Sequence, residues 1–108
     1  MLQQVWINLI DNAIKFSESG GLLSIKVYSA DRSVIVEIRD SGKGMDARTV
    51  ARIFEKFYQG DVAHKTDGNG LGLSIVKRIV DLYDGEIACS SQLGHGTTFT
   101  IKLPLNDL

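Results

Sequence analysis

A chain of 108 residues, 44% apolar and 23% charged, suits one domain and is too short for two independent cores. A domain of this size buries roughly 60–65% of its unfolded surface, so the composition excludes wholesale disorder. Twelve lysines and arginines against thirteen aspartates and glutamates give a formal charge of −1, which supplies no global field for DNA, RNA or an anionic membrane.

From Leu2 to Phe16 the apolar residues recur with helical spacing, and the turn-forming run Ser17-Glu18-Ser19-Gly20-Gly21 ends them. Around this predicted helix Asn8, Asp11, Asn12 and Lys15 share an arc of about 100°, while Val5, Trp6, Leu9, Ile10, Ala13 and Ile14 take most of the rest. Leu22 to Tyr28 and Val34 to Arg39 are rich in β-branched residues and read as antiparallel strands joined by a turn at Asp31-Arg32-Ser33. A loop, Asp40-Ser41-Gly42-Lys43-Gly44-Met45, follows, and Ala47 to Phe57 reads as one or two short helical turns. Gly60 to Gly70 is polar and aperiodic, a loop. Apolar spacing returns at 71, 75, 76, 79, 80 and 83 in a second long helix, with Lys77 and Arg78 facing away and Gly85 as its stop. Glu86 to Ser91 and Thr97 to Leu103 read as strands, and Pro104 ends the last one. This order predicts a two-layer α+β sandwich with helices on one face of a mainly antiparallel, mixed sheet.

The single cysteine, Cys89, excludes an internal disulfide and a multi-cysteine metal site, and reads as a buried strand thiol in a reducing compartment. The longest apolar runs, such as Val5-Trp6-Ile7, are far short of the ~20 residues that span a bilayer. With no basic-then-apolar leader, the expected location is cytoplasmic and no direct membrane contact is expected.

Three glycine-bearing loops invite a ligand: Asp40-Ser41-Gly42-Lys43-Gly44, Gly68-Asn69-Gly70-Leu71-Gly72-Leu73 and Gly94-His95-Gly96-Thr97. Glycines let backbone N–H groups come close to a ligand, and those at 68–72 sit where a helix begins, with its free N–H groups and positive dipole end. Neither the Walker spacing nor the dinucleotide fingerprint is present. Taken singly, each loop reads more readily as a plain turn than as a ligand site.

Their combination, in order, with Asn8-Leu9-Ile10-Asp11-Asn12-Ala13-Ile14-Lys15-Phe16, Ile53-Phe54-Glu55-Lys56-Phe57-Tyr58, Gly70-Leu71-Gly72-Leu73-Ser74-Ile75-Val76-Lys77 and Gly94-His95-Gly96-Thr97-Thr98-Phe99 resembles the ATP-binding catalytic domain of bacterial sensor histidine kinases. That domain belongs to the superfamily of DNA gyrase, Hsp90 and MutL, and the likeness covers nearly the whole chain. The resemblance implies that Asn12, with Asn8 lining the same site, gives amide oxygen to the Mg²⁺ on the ATP phosphates. It implies Lys15 at the phosphates and Phe16 against adenine, although Lys15 also reads as a solvated helix residue. Asp40 is then the adenine-specifying carboxylate, which guanine's carbonyl would repel, while Gly42 and Gly44 let the backbone pass the ring. Met45 reads either as pocket wall or as core. Gly68, Gly70, Leu71, Gly72 and Leu73 match the glycine box at the phosphates, which anchors an ATP lid at roughly Tyr58 to Asn69. Phe54 and Phe57 match the phenylalanine box, Lys56 stands either toward phosphate or on the surface, and Thr97, after Gly96, reaches adenine through water.

The superfamily's ATPases carry a glutamate, as base, four residues before the magnesium asparagine; here that position is Asn8, and an amide accepts no proton at neutral pH. Phosphoryl transfer to a partner nucleophile is therefore favoured over hydrolysis. The family's acceptor is a histidine on a separate dimerisation domain, and a response regulator follows downstream. Neither His64 nor His95 lies in such an acceptor box. Two departures stand out: relatives carry a helix and strand before Met1-Leu2-Gln3, and they show His-Gly-Gly where this chain has Tyr83-Asp84-Gly85. The expectation is a truncated catalytic domain whose uncovered N-terminal region invites self-association; the full-length parent is free to carry an inner-membrane anchor. Two other readings stay open, a nucleotide-binding module without transfer and an anti-sigma-type serine kinase.

Overall fold

The computed structural model describes residues 2–16, 21–54 and 72–105. Helix α1 spans Leu2–Phe16, α2 Ala47–Arg52 and α3 Gly72–Leu82; the strands are β1 (Leu23–Ala30), β2 (Ser33–Asp40), β3 (Glu86–Ser91) and β4 (Thr97–Pro104). The strands form one sheet in the order β1-β2-β4-β3, with every described pairing antiparallel. Helices α1 and α3 pack together over its inner face, α1 against β2 and α3 against β3.

The pleat explains the core. Alternate residues of β2 and β4, Val36 and Ile38 facing Ile101 and Phe99, meet Val5, Leu9 and Ala13 of α1 and Val76, Ile79 and Val80 of α3. The four-residue spacing of Val5, Leu9 and Ala13 keeps one stripe of α1 on the sheet. Its apolar face is narrower than the sequence implies, because Ile14 is exposed on its flank; Ile75 of α3 is likewise exposed. On the far side of α3 Lys77 pairs with Asp81 at 2.8 Å, an exposed i,i+4 contact worth only a few tenths of a kcal/mol.

Four local expectations are corrected. The β1–β2 connection is a two-residue turn, since Asp31 and Arg32 both have positive φ (52° and 62°) and Ala30 already pairs with Ser33. Such a turn matches the right-handed strand twist, so both strands run further than their composition suggested. Asp40 accordingly ends β2 instead of opening a loop. Pro104 lies within β4, opposite Ser33 at the end of the ladder, where a missing N–H does least harm. At the sheet edge β1 turns Leu23, Ile25 and Val27 to the inner face, yet they are 41%, 50% and 63% exposed, beyond the cover of the helices.

The fourth correction concerns the end of α3. The Gly85 N–H donates to the Val80 carbonyl at 2.9 Å and the Asp84 N–H to that of Asp81 at 3.0 Å, a paired capping pattern whose left-handed residue is Asp84, at φ 58°. Gly85 is required for space, because a Cβ there would stand 2.6 Å from the Lys102 carbonyl oxygen and 2.8 Å from Leu103 Cδ2. In urea unfolding Asp84→Gly should therefore raise stability by about 0.5–1 kcal/mol, whereas Gly85→Ala should lower it by about 2 kcal/mol or more. The opposite order would refute this account of the cap.

Candidate functional site

The inner face of the sheet changes character at one end. Facing pairs along β2 and β4 run Val34–Leu103, Val36–Ile101, Ile38–Phe99 and finally Asp40–Thr97. The pleat that lines the core thus delivers a carboxylate and a hydroxyl in its last row, 5% and 8% exposed. Ser91, opposite Thr97 on β3, extends that row.

Asp40 Oδ1 accepts a hydrogen bond from the Gly42 N–H at 2.9 Å, folding the chain back as it leaves β2. Ser41 then ties it to Leu22: its N–H donates to the Leu22 carbonyl at 3.1 Å, and its Oγ accepts from the Leu22 N–H at 2.8 Å. Beyond, the 41–46 loop is stitched to the 92–96 loop. The Gly94 N–H donates to the Lys43 carbonyl at 2.7 Å, and the Met45 N–H donates to Ser91 Oγ at 2.8 Å. Gly44 and Gly96 have φ of 73° and 79°, and a Cβ on either would collide with a backbone carbonyl, that of Gln92 or of Asp40. Gly44 is thus demanded by one loop lying on the other. Gly94 shares the conformation, at φ 82°, but faces open space.

Asp46 caps α2, its carboxylate accepting from the Thr49 N–H at 2.8 Å; that bond holds its pKa below the usual range. Cys89 lies half-buried on the inner face of β3, and burial, with the Asp40 carboxylate second, pushes its thiol up to about 11.

On α1 the half-buried Asn8 and Asn12 lie one turn apart, and Asn8 Oδ1 accepts from Gln4 Nε2 at 2.9 Å. Lys15 and Phe16 close that helix, but their side chains fall outside the description, and so do Lys56, Phe57, Gly68, Gly70, Leu71 and the 58–69 segment altogether. Gly72 is the first residue of α3, the helix against which α1 packs, and Leu73 is half-buried on the core. Phe54 meets Phe99 edge to face, ring centroids 6.2 Å apart. Among the described residues no three His, Cys, Asp or Glu side chains cluster as a metal site.

Asp40, Gly42, Gly44, Met45, Gly96 and Thr97 are therefore brought together as one unit, while Asn8, Asn12 and Gly72 sit on the packed helix pair. Sequence reasoning missed Ser91. Its signal is two polar residues opposite one another on inward-facing positions, legible only once the register is known.

A family model described as histidine kinase-, DNA gyrase B-, and HSP90-like ATPase matches residues 1–107. The chain belongs to this ATPase family. Among curated relatives of the ATPase domain, the heme sensor protein HssS of Staphylococcus saprophyticus is 44% identical over 101 residues, 94% of this chain and 22% of that protein. Among solved structures, the mycobacterial sensor histidine kinase MprB has a TM-score of 0.85 at 31% identity, covering 94% of this chain and 70% of that one. Full-length ShkA in complex with AMPPNP has a TM-score of 0.81 at 34% identity, covering 95% and 21%. The ATPase domain thus spans about a fifth of the heme sensor, and it is a protein-histidine kinase catalytic domain.

Two outcomes check this geometry. Gly96→Ala should cost about 2–4 kcal/mol in unfolding experiments, since both φ and space oppose it; a loss below about 0.5 kcal/mol would contradict the tight loop contact. The folded Cys89 thiol keeps its proton above the ordinary 9.0. Its contribution to stability is complete below that pH and is lost as pH rises through about 11. At pH 8 iodoacetamide should modify native Cys89 roughly 100-fold more slowly than the unfolded chain, and Asp40→Asn should speed the native reaction. Equal native and unfolded rates would refute the buried thiol.

Proposed function

We propose that residues 1–108 form the catalytic domain that binds Mg-ATP and passes its γ-phosphoryl group to a histidine on a separate dimerisation domain, in two-component signalling that ends on a response regulator. The observation that carries this reading is the buried Asp40 in the last row of the sheet, beside Thr97 and clamped by the Gly42 N–H. An ionised carboxylate only accepts hydrogen bonds, so it suits adenine's exocyclic amino group and opposes guanine's carbonyl. The AMPPNP held by the relative ShkA supports an adenine nucleotide.

Phosphoryl transfer asks the protein mainly to position groups and neutralise charge. Gly72 offers backbone N–H groups and the positive dipole end of α3 to phosphate; Lys15 and Lys56 add cationic charge, and Gly68, Gly70, Leu71 and Leu73 complete the phosphate loop. Phe16 and Met45 would wall the base. Asn8 and Asn12 fit a magnesium ion: carboxamide oxygens are hard donors, and Mg²⁺ takes few protein ligands beside phosphate and water. When bound, that ion supplies further neutralisation of phosphate charge. Because Asn8 cannot take a proton from water, the bound nucleotide persists until an acceptor arrives. His95, exposed in the 92–96 loop, is no acceptor in this scheme. No described helix is long and apolar enough to cross a membrane.

Isothermal titration with Mg²⁺ should show ATP bound in preference to GTP. Asp40→Asn should weaken ATP about 10- to 100-fold and remove the preference, and Asn12→Ala should abolish the dependence on Mg²⁺. With a cognate dimerisation domain the product should be an acid-labile, base-stable phosphohistidine. Acid-stable phosphoserine would indicate the serine-kinase alternative, and tight binding without transfer the silent module.

A further inference from the structure

Ser91 Oγ stands at a three-way junction. It accepts from the Met45 N–H at 2.8 Å, donates to the Gly96 carbonyl at 2.9 Å and lies 2.8 Å from Thr97 Oγ1. A serine hydroxyl has one proton and two lone pairs. With the proton on Gly96, the contact to Thr97 is made only if Thr97 donates. The Thr97 hydroxyl proton is then directed at Ser91, and Thr97 has only lone pairs left for anything else.

From this proton balance we infer that Ser91 is a positioning residue for base selection, acting through Thr97. The inference rests on the adenine reading of the Asp40 site. Asp40 and Thr97 face each other in register, both nearly buried. As a carboxylate Asp40 offers only acceptors, and Ser91 makes Thr97 an acceptor as well. Two adjacent acceptors match an amino group with two hydrogens, met directly or through a water that donates to Thr97. They reject a carbonyl at the same place, because a buried acceptor facing an acceptor leaves both unpaired. Without Ser91 the Thr97 hydroxyl is free to turn and donate, and the row no longer discriminates.

The test is a titration of ATP and GTP on this chain, wild type and variants, with melting curves to confirm folding. Ser91→Ala should lower the ATP-to-GTP affinity ratio roughly tenfold, chiefly by tightening GTP. Ser91→Thr, which keeps the hydroxyl, should hold the ratio, and Thr97→Val added to Ser91→Ala should remove the gain in GTP affinity. A merely structural serine would weaken both nucleotides in parallel; that result, or an unchanged ratio, overturns the inference. If Ser91→Ala does not fold, Thr97→Val alone carries the test, with a reduced ratio expected and an unchanged one overturning it. A wild-type chain without preference for ATP would overturn the nucleotide reading and this inference with it.

Discussion

The register between β2 and β4 is the constraint on which the site depends. It sets Asp40 against Thr97 on the same face as Val36, Ile38, Phe99 and Ile101. A slip by one residue would turn the whole apolar row outward and move Asp40 to the solvent face. The energy that holds the carboxylate in place is thus mostly hydrophobic and is supplied by the apolar rows packed beneath the helices. The helices add to the same lock: α1 and α3 both press on this face, and both also bear the asparagines and glycine assigned to phosphate and metal.

The stitching of the two loops makes the polar end of the sheet a fixed platform. Backbone hydrogen bonds from Gly94 to Lys43 and from Met45 to Ser91 hold them, and the absence of side chains at Gly44 and Gly96 lets them touch. Electrostatic character at this end of the sheet comes from arrangement, since the net charge of the chain is only −1. A lone carboxylate within a low-dielectric wall discriminates donors from acceptors more sharply than it would in water. The same wall acts on Cys89, where burial and the Asp40 carboxylate push the thiol pKa up.

Much of this was legible before any coordinates. The helical spacing of α1 and the β-branched strands led to the layer architecture, whereas Asp40, Thr97 and the two asparagines were named through the resemblance to the kinase domain; the register sets Asp40 and Thr97 face to face. What escaped depended on three-dimensional neighbours. Ser91 looks like any serine at a strand end until Thr97 is set beside it. Asp84 takes the left-handed turn expected of Gly85, because that φ falls one residue before the place where β4 leaves no room for a side chain. Ile14 and Ile75 read as core, yet helical position alone cannot say how wide a stripe the sheet will cover.

Gly44, Gly94 and Gly96 share one backbone conformation but differ in what surrounds them. At Gly94 the requirement is purely torsional, so asparagine or aspartate, which tolerate left-handed backbone, are admissible there. The other two positions admit nothing with a β-carbon. Sequence drift across the two stitched loops is therefore channelled outward: the tip of the 92–96 loop is at liberty to acquire new surface chemistry, while Gly44 and Gly96, where the loops touch, stay frozen against their neighbours.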